Sequence, residues 1–379
     1  MFTPSSRAVP DPVTSDFHTR WYPVRIGLFT KRDSPARDSL TATVDALIAH
    51  RPDDAAIIEY SRPADLTALL CARELVRRVA ADRIDVVHVA TAGPFAITAL
   101  LAAWNCGLPV IGSFQPPAPA TSGLFRAYRR GLARQTRRLL VTSVSAREMF
   151  MGEGIKPSNM VLWRPGVDTS MFAPSKRSSV LRERWGVSDA RPAVIYAGDL
   201  SDDRGARRLL SLEVALHRTR PMHQLIVAGD GPSRDELQAR CPNAIFIGVL
   251  SRAAMPEVLA SADLYVCPNE ASSTNLAVLE AQASGLPVVV MERGSARERV
   301  TASTARVCRS HADFIVETAA LVRTDERRAA MGMAARKYAT QQEWAVGLTA
   351  VYLEYRSAAA VSRARRDLEP AFIPQSRRF

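Results

Sequence analysis

The sequence predicts an α/β protein made of two doubly wound, Rossmann-like domains that face each other across a cleft. Three observations carry the prediction. At 379 residues the chain exceeds what one hydrophobic core usually organises, so two domains are the starting expectation. Short β-rich runs alternate with segments of helical length through most of the chain, the pattern of parallel strands joined by crossover helices. Those runs are apolar throughout instead of alternating with polar residues, as expected when helices cover both faces of a sheet.

The first series follows residues 1–22, whose Pro, Ser, Asp and Thr surround no apolar core and read as a flexible leader, not a secretory signal. VRIGLF (24–29) is the first strand, and a helix is expected over about 39–50. AIIEY, a helix through LTALLCARELVRRVAA, and IDVVHVA repeat the unit. AITALLAAWNCG, LPVIGSF and RLLVTSV extend it, which sets the first domain at 23–173. The longest apolar stretch begins at Phe95, but Asn105, Gly107 and Pro109 interrupt it. It therefore reads as a buried helix and strand instead of a membrane span.

The second series begins after APSKRSSVLRERWGVSDARP, a polar, Pro-containing stretch, and a hinge is expected within about 172–192. AVIYAG, a helix near 206–218, HQLIVAGDGP, AIFIGVL, DLYVCP and LPVVVM then repeat the α/β plan, giving a second domain at 174–340. QQEWAVGLTAVYLEYRSAAA has apolar residues at helical spacing and is expected to close the fold over 341–360. Residues 361–379 read as a flexible basic tail. Two such domains make a cleft, because ligands bind outside the carboxyl ends of parallel strands.

Lys and Arg outnumber Asp and Glu by 50 to 38, a formal charge of +12, which implies polyanionic neighbours. RAYRRGLARQTRRLL (126–140) concentrates the basic residues, with Phe125, Tyr128, Leu132, Leu139 and Leu140 interleaved. A basic amphipathic helix on an anionic membrane face fits this pattern, and so does a solvated helix with one buried stripe. No nucleic-acid recognition module accompanies the patch, so nucleic acid is not an expected partner. The five cysteines are scattered without metal-ligand spacing, and no metal site is expected. Together these features suggest a cytoplasmic protein, peripheral on the inner membrane face.

No Ser-His-Asp arrangement, CxxC or HExxH motif is present, which leaves the strand-end loops to carry any chemistry. AGDGPSRDEL (228–237) makes a sharp turn whose glycines let the main chain approach a ligand, or simply serve a plain β–α turn. In EASSTNLAVLE, the 272–275 segment is expected to cap a helix whose free N–H groups and dipole suit a diphosphate. Glu280 lies too far into that helix to cap it. It can accept hydrogen bonds from a hydroxyl pair such as a ribose, or form a salt bridge with a neighbouring arginine.

The ordered set WRPGVDTSMFAP (163–174), IYAGDLSDDRG (195–205), VAGDGP (227–232) and NLAVLEAQASGLPVVV (275–290) resembles the retaining glycosyltransferases of the GT-B fold, family 4. Within that family it is most similar to the mannosyltransferase and sulfoquinovosyl-transferase-like members, and the segment 86–114 fits their N-terminal domain. The resemblance implies an acceptor domain followed by a nucleotide-sugar donor domain. It implies transfer of a hexose to a lipid-linked or polysaccharide acceptor. The nucleotide sugar is a co-substrate of unspecified sugar and base, and no other cofactor is implied. The nucleotide is expected against Gly198, Asp230, Gly231, Asn275, Leu276 and Glu280.

In that family an Arg and a Lys stabilise the leaving diphosphate, and two glutamates eight positions apart contact donor sugar and ribose. Here the Arg position holds Asp199, the Lys position Arg204, the first glutamate position Ser272 and the second Glu280. Glu270 lies two residues from the first glutamate position, and Arg32 and Arg37 are further candidate phosphate contacts. On the acceptor side, Gln115 stands at a histidine position and Ser39 at a glycine position. These departures leave a second function in view, a catalytically degenerate protein that binds or scaffolds partners in glycan synthesis. The persistence of GDGP, Asn275 and Glu280 favours the enzyme.

Overall fold

The computed structural model describes residues 23–30, 39–61, 72–91, 94–113, 123–219, 223–270 and 274–368. The leader, Arg32, Arg37, Gln115, Ser272 and the stretch 369–379 lie outside the described residues.

The first half runs β1 (Val24–Thr30), α1 (Ser39–Ala49), β2 (Ala55–Ser61), α2 (Ala72–Ala81), β3 (Val86–Val89), α3 (Pro94–Asn105), β4 (Val110–Gly112), α4 (Gly123–Arg134), β5 (Arg138–Val141), α5 (Val144–Gly152) and β6 (Met160–Leu162). Its strands form one parallel sheet in the order β2-β1-β3-β4-β5-β6. The second half runs α6 (Ser179–Trp185), β7 (Ala193–Ala197), α7 (Ala206–Thr219), β8 (Gln224–Ala228), α8 (Arg234–Arg240), β9 (Ile245–Gly248), α9 (Met255–Ser261), β10 (Leu264–Cys267), α10 (Leu276–Ala283), β11 (Val288–Met291), β12 (Ala305–Cys308), α11 (His311–Arg323), α12 (Asp325–Ala339) and α13 (Trp344–Leu368). Its sheet is also parallel, ordered β12-β11-β10-β7-β8-β9. The fold is thus an α/β architecture of two doubly wound sheets.

The continuous apolar runs follow from two-sided burial. Along β7, Ala193, Ile195 and Ala197 join the core beneath α9 and α10, while Val194 and Tyr196 join the core beneath α7 and α11. Successive side chains of a strand point to opposite faces, so both sets must be apolar. In each sheet the strand order reverses once, between β1 and β3 and between β7 and β10. Loops diverge from the strand ends at such a point and leave a crevice.

Helix α13 returns to the first sheet. Tyr352 donates to the Leu47 carbonyl at 2.6 Å, and Arg356 donates to both oxygens of Asp54, from Nη2 at 2.7 Å and Nε at 3.0 Å. The helix continues to Leu368, eight residues beyond the expected end at 360, so 361–368 is not the flexible tail the sequence suggested. Arg363 accounts for the extension. It reaches Asp85 at 2.6 Å and the Pro23 carbonyl at 2.9 Å, while Ser362 is buried.

Two contacts fix the sheets relative to each other. Where the chain passes between them, Val167 donates to the Gln342 carbonyl at 2.8 Å and the Trp163 and Trp344 rings lie 6.4 Å apart. In the short 3₁₀ turn Ser295–Arg299, Glu298 accepts from the first amides of α5, Val144 and Ser145, at 2.7 and 3.0 Å. A carboxylate at a helix N-terminus meets unsatisfied N–H groups and the positive end of the dipole. Beside it, buried Arg299 donates to the carbonyls of Thr142 and Pro165, and burial brings its pKa down to about 10.

Candidate active site

A cavity of about 440 Å³ opens at the β7–β10 switch point. Its walls come from the ends of β7, β8 and β10, the loop after β9 and the start of α10, with Ala42 of α1 reaching it from the other half. Of the residues singled out from sequence, Gly198, Asp199, Arg204, Asp230, Asn275, Leu276 and Glu280 all line it.

Gly231 does not. A Cβ at Gly231 would lie 2.5 Å from the Leu200 carbonyl oxygen and 2.6 Å from Asp199 Oδ1, and one at Gly229 would strike the Gly198 carbonyl oxygen. The glycines of AGDG therefore let two strand-end loops pack together, an approach then held by Leu200 N–H to the Asp230 carbonyl at 2.9 Å. Its neighbours in the turn, Gly229 and Asp230, line the cavity instead. Asp230 is exposed at the rim, accepts from Gly231 N–H at 2.8 Å and pairs with Arg234 at 3.2 Å.

Asp199 is exposed immediately after β7. Its Oδ2 accepts from Ser201 Oγ at 3.3 Å, its carbonyl accepts from Tyr196 Oη at 2.7 Å, and it has no arginine partner among the described residues. The nearby ion pair, Asp202 with Arg207 at 3.1 Å, leaves it out. Arg204 closes the 3₁₀ turn Asp202–Arg204 and enters the cavity wall close to β10. Burial pushes the Cys267 thiol up to about 11, and the Arg204 charge opposes that rise.

The start of α10 departs from expectation. Its N-cap, Asn275, adopts a left-handed conformation with φ 47° and makes no side-chain cap. Its amide instead donates to Ser295 Oγ at 2.8 Å and accepts from Asn269 at 3.3 Å. With Leu276 and Ala277 in the cavity wall, the first turn of α10 faces the cavity, and the N–H groups of a helix start favour anions. Glu270 does not line the cavity. Arg208 of α7 holds it at 2.8 Å and also donates to the Pro268 carbonyl at 2.7 Å.

Glu280 forms the salt bridge that was one of its two expected roles, and it also lines the cavity. Its Oε1 lies 3.2 Å from Arg252 Nη1, with the two side chains only 14% and 19% exposed. Burial pushes its carboxyl above the usual carboxylate value, and the Arg252 charge and hydrogen bond push back. The Arg252 guanidinium carbon also sits 5.6 Å from the centre of the Phe172 ring. Beneath them, the fully buried Tyr265 donates to the Ala197 carbonyl at 3.0 Å.

Arg252 was not singled out from the sequence. The signal available was its position in the loop after AIFIGVL, a strand end like those that were considered. Ser39 opens α1, the helix that brings Ala42 to the cavity. Among the described residues no group of three or more His, Cys, Asp or Glu side chains is arranged to hold a metal ion.

Two doubly wound parallel sheets with a cavity at the switch point of the second define a protein of the GT-B fold. Residues 24–171 match the family described as Glycosyltransferase Family 4, and residues 191–327 match Glycosyl transferases group 1. The chain belongs to the family 4 glycosyltransferases.

It is 32% identical over 280 residues to a GDP-mannose-dependent alpha-mannosyltransferase of Mycolicibacterium smegmatis, covering 69% of this chain and 70% of the relative. A Mycobacterium tuberculosis protein of the same description is 32% identical over 226 residues, 57% of this chain and 58% of its own length. Another from Mycobacterium tuberculosis, a GDP-mannose-dependent alpha-(1-6)-phosphatidylinositol dimannoside mannosyltransferase, is 31% identical over 44% of each chain. The chain thus spans between 44% and 70% of the length of these relatives. Among solved structures, Anabaena HepE in complex with UDP and glucose superimposes with a TM-score of 0.74 at 18% identity. That likeness in fold covers 88% of this chain and 100% of HepE.

Proposed function

We propose that this chain is a retaining glycosyltransferase that moves a hexose from a nucleotide sugar to a lipid-linked or glycan acceptor. The observation that carries this is the meeting, in one cavity, of the first turn of α10, Arg204 and the Glu280–Arg252 pair. The donor diphosphate lies against the α10 amides and Arg204, the ribose against Glu280, and the base against the loop after β9. In the reaction the bond between the sugar's anomeric carbon and the diphosphate oxygen breaks. The acceptor hydroxyl bonds to the same face of that carbon, and its proton passes to the departing phosphate. Negative charge builds on the diphosphate, so N–H groups and a guanidinium placed there lower the barrier. Because relatives are described as GDP-mannose-dependent, GDP-mannose is the first donor to test.

The acceptor class draws support from the first half. On α4, Arg126 and Arg134 are exposed, as is Arg137 just beyond it. Arg129, from the same basic run, is instead buried over Phe150 and paired with Glu153. On α3, whose buried side joins the same core as α4, Ile97 and Trp104 are 40% and 53% exposed. Exposed arginines on one helix and an exposed tryptophan on another that packs on the same core suit an anionic membrane surface, where a lipid-linked acceptor would be presented. No helix among the described residues is long and apolar enough to cross a membrane.

Asp199 favours a second function, a degenerate protein that binds partners in glycan synthesis, because it puts a carboxylate where the leaving group's charge would develop. Donor hydrolysis and transfer by the wild type and by Asp199→Arg, with and without divalent metal, separate the two. Turnover by the wild type supports the enzyme. An inactive wild type with activity gained in Asp199→Arg would overturn it.

A further inference from the structure

We infer that Arg252 is a positioning residue that sets the site's preference for a ribose: it holds Oε1 of Glu280 and leaves Oε2 to accept the sugar hydroxyls. The inference rests on the proposed nucleotide site and assigns a function to a residue that the family motifs named above do not include.

The two side chains come from different elements, the loop after β9 and the second turn of α10, and they meet at 3.2 Å in the cavity wall. Both are largely withdrawn from water. Such a pair gains little stability, because desolvating two charges offsets much of their attraction. Its geometry is nevertheless held from both sides. The Phe172 ring lies under the guanidinium, and the Arg252 charge also reaches Asp168, six residues after β6 in the segment joining the two sheets. Burial works to raise the Asp168 pKa, but hydrogen bonds from Ser170 and Met171, together with Arg252, leave it below the ordinary value.

A guanidinium hydrogen-bonded to one carboxylate and seated over a ring is restricted in its swing, so it fixes the carboxylate it binds. Without it, Glu280 would be a buried acid with no cation beside it and no fixed rotamer. A neutral or misdirected carboxyl accepts a hydroxyl hydrogen bond less well than a held carboxylate. Arg252 therefore acts on the ribose through Glu280 and does not touch the reacting atoms.

The test is calorimetry of the full chain with GDP and UDP and with their 2′,3′-dideoxy forms, for the wild type, Arg252→Ala, Arg252→Gln and Arg252→Lys. The wild type is expected to prefer the ribonucleotide by about tenfold. Arg252→Ala and Arg252→Gln are expected to bring the ratio close to one while still binding the dideoxy form. Arg252→Lys is expected to restore most of the preference, and it keeps the test open should the alanine variant fail to fold. Equal weakening of both forms, as a merely structural role would give, or an unchanged ratio, overturns the inference. A wild type that binds both forms equally overturns it too, while the nucleotide site stands. Binding of neither GDP nor UDP would remove the proposed function and this inference together.

Discussion

Tyr355 and His88 are hydrogen-bonded at 2.7 Å, tying α13 to a central strand of the first sheet. The other ring nitrogen of His88 lies 2.9 Å from Ser113 Oγ. The imidazole is fully enclosed, and burial brings its pKa from an ordinary 6.5 down to about 3. It is therefore neutral in the folded protein while the unfolded chain binds a proton below 6.5. The unfolded state holds more protons in that window, so stability is full above pH 6.5 and falls as the pH drops toward 3. At pH 5 the loss from this one residue is expected to be about 2 kcal/mol. Urea unfolding at pH 7 and pH 5, for the wild type and His88→Asn, checks it. The wild-type difference should shrink by that amount in the variant.

Glu280→Ala is expected to weaken nucleotide binding by about 1–3 kcal/mol if the carboxylate carries ribose hydrogen bonds. Calorimetry with GDP gives the answer directly. Unchanged affinity in a folded variant would remove Glu280 from the site and leave its pairing with Arg252 as its whole role.

Asp199→Asn removes a negative charge from the cavity wall close to the proposed diphosphate. At separations of a few ångströms in water a unit charge is worth about 1 kcal/mol, so GDP should bind about fivefold more tightly. The gain should fade as salt is raised, since Asp199 is exposed. No gain at low salt would mean that the diphosphate does not approach Asp199.

Binding to liposomes is expected to rise with anionic lipid content and fall with salt. Replacing Arg126 and Arg134 together by Glu should weaken binding to anionic vesicles by about thirtyfold or more, at roughly 1 kcal/mol for each arginine lost and more for charge reversal. Trp104→Ala should reduce it with less salt dependence. Binding indifferent to lipid charge would count against this face.

Glu298→Ala removes the acceptor for the first amides of α5. The loss is expected to cost about 1 kcal/mol at that contact. Limited proteolysis near residue 144 checks it, with faster cleavage in the variant. An unchanged rate would mean that the carboxylate adds nothing to holding the start of α5.

What the sequence determined by itself was set by local chemistry. The alternation of Val- and Ile-rich runs with helical segments specifies parallel sheets, because a strand with two apolar faces must be covered on both. That the strand-end loops would carry the site was legible too, because loops at the carboxyl ends of parallel strands converge, whereas Asp199 and Arg204 were marked out only by the family resemblance. The first tertiary decision was the length of α13, which depends on Arg363 finding Asp85 across 278 positions of chain. Two others are the orientation of Gly231 toward a neighbouring loop and the release of Asn275 from its capping role to Ser295 and Asn269. The tertiary structure also decided that Arg252 meets Glu280, 28 residues away, over the Phe172 ring. Each of these relations joins residues brought together only by the winding of the sheets. Spacing along the chain carries no trace of them, whereas periodicity and strand-end position are properties of neighbours.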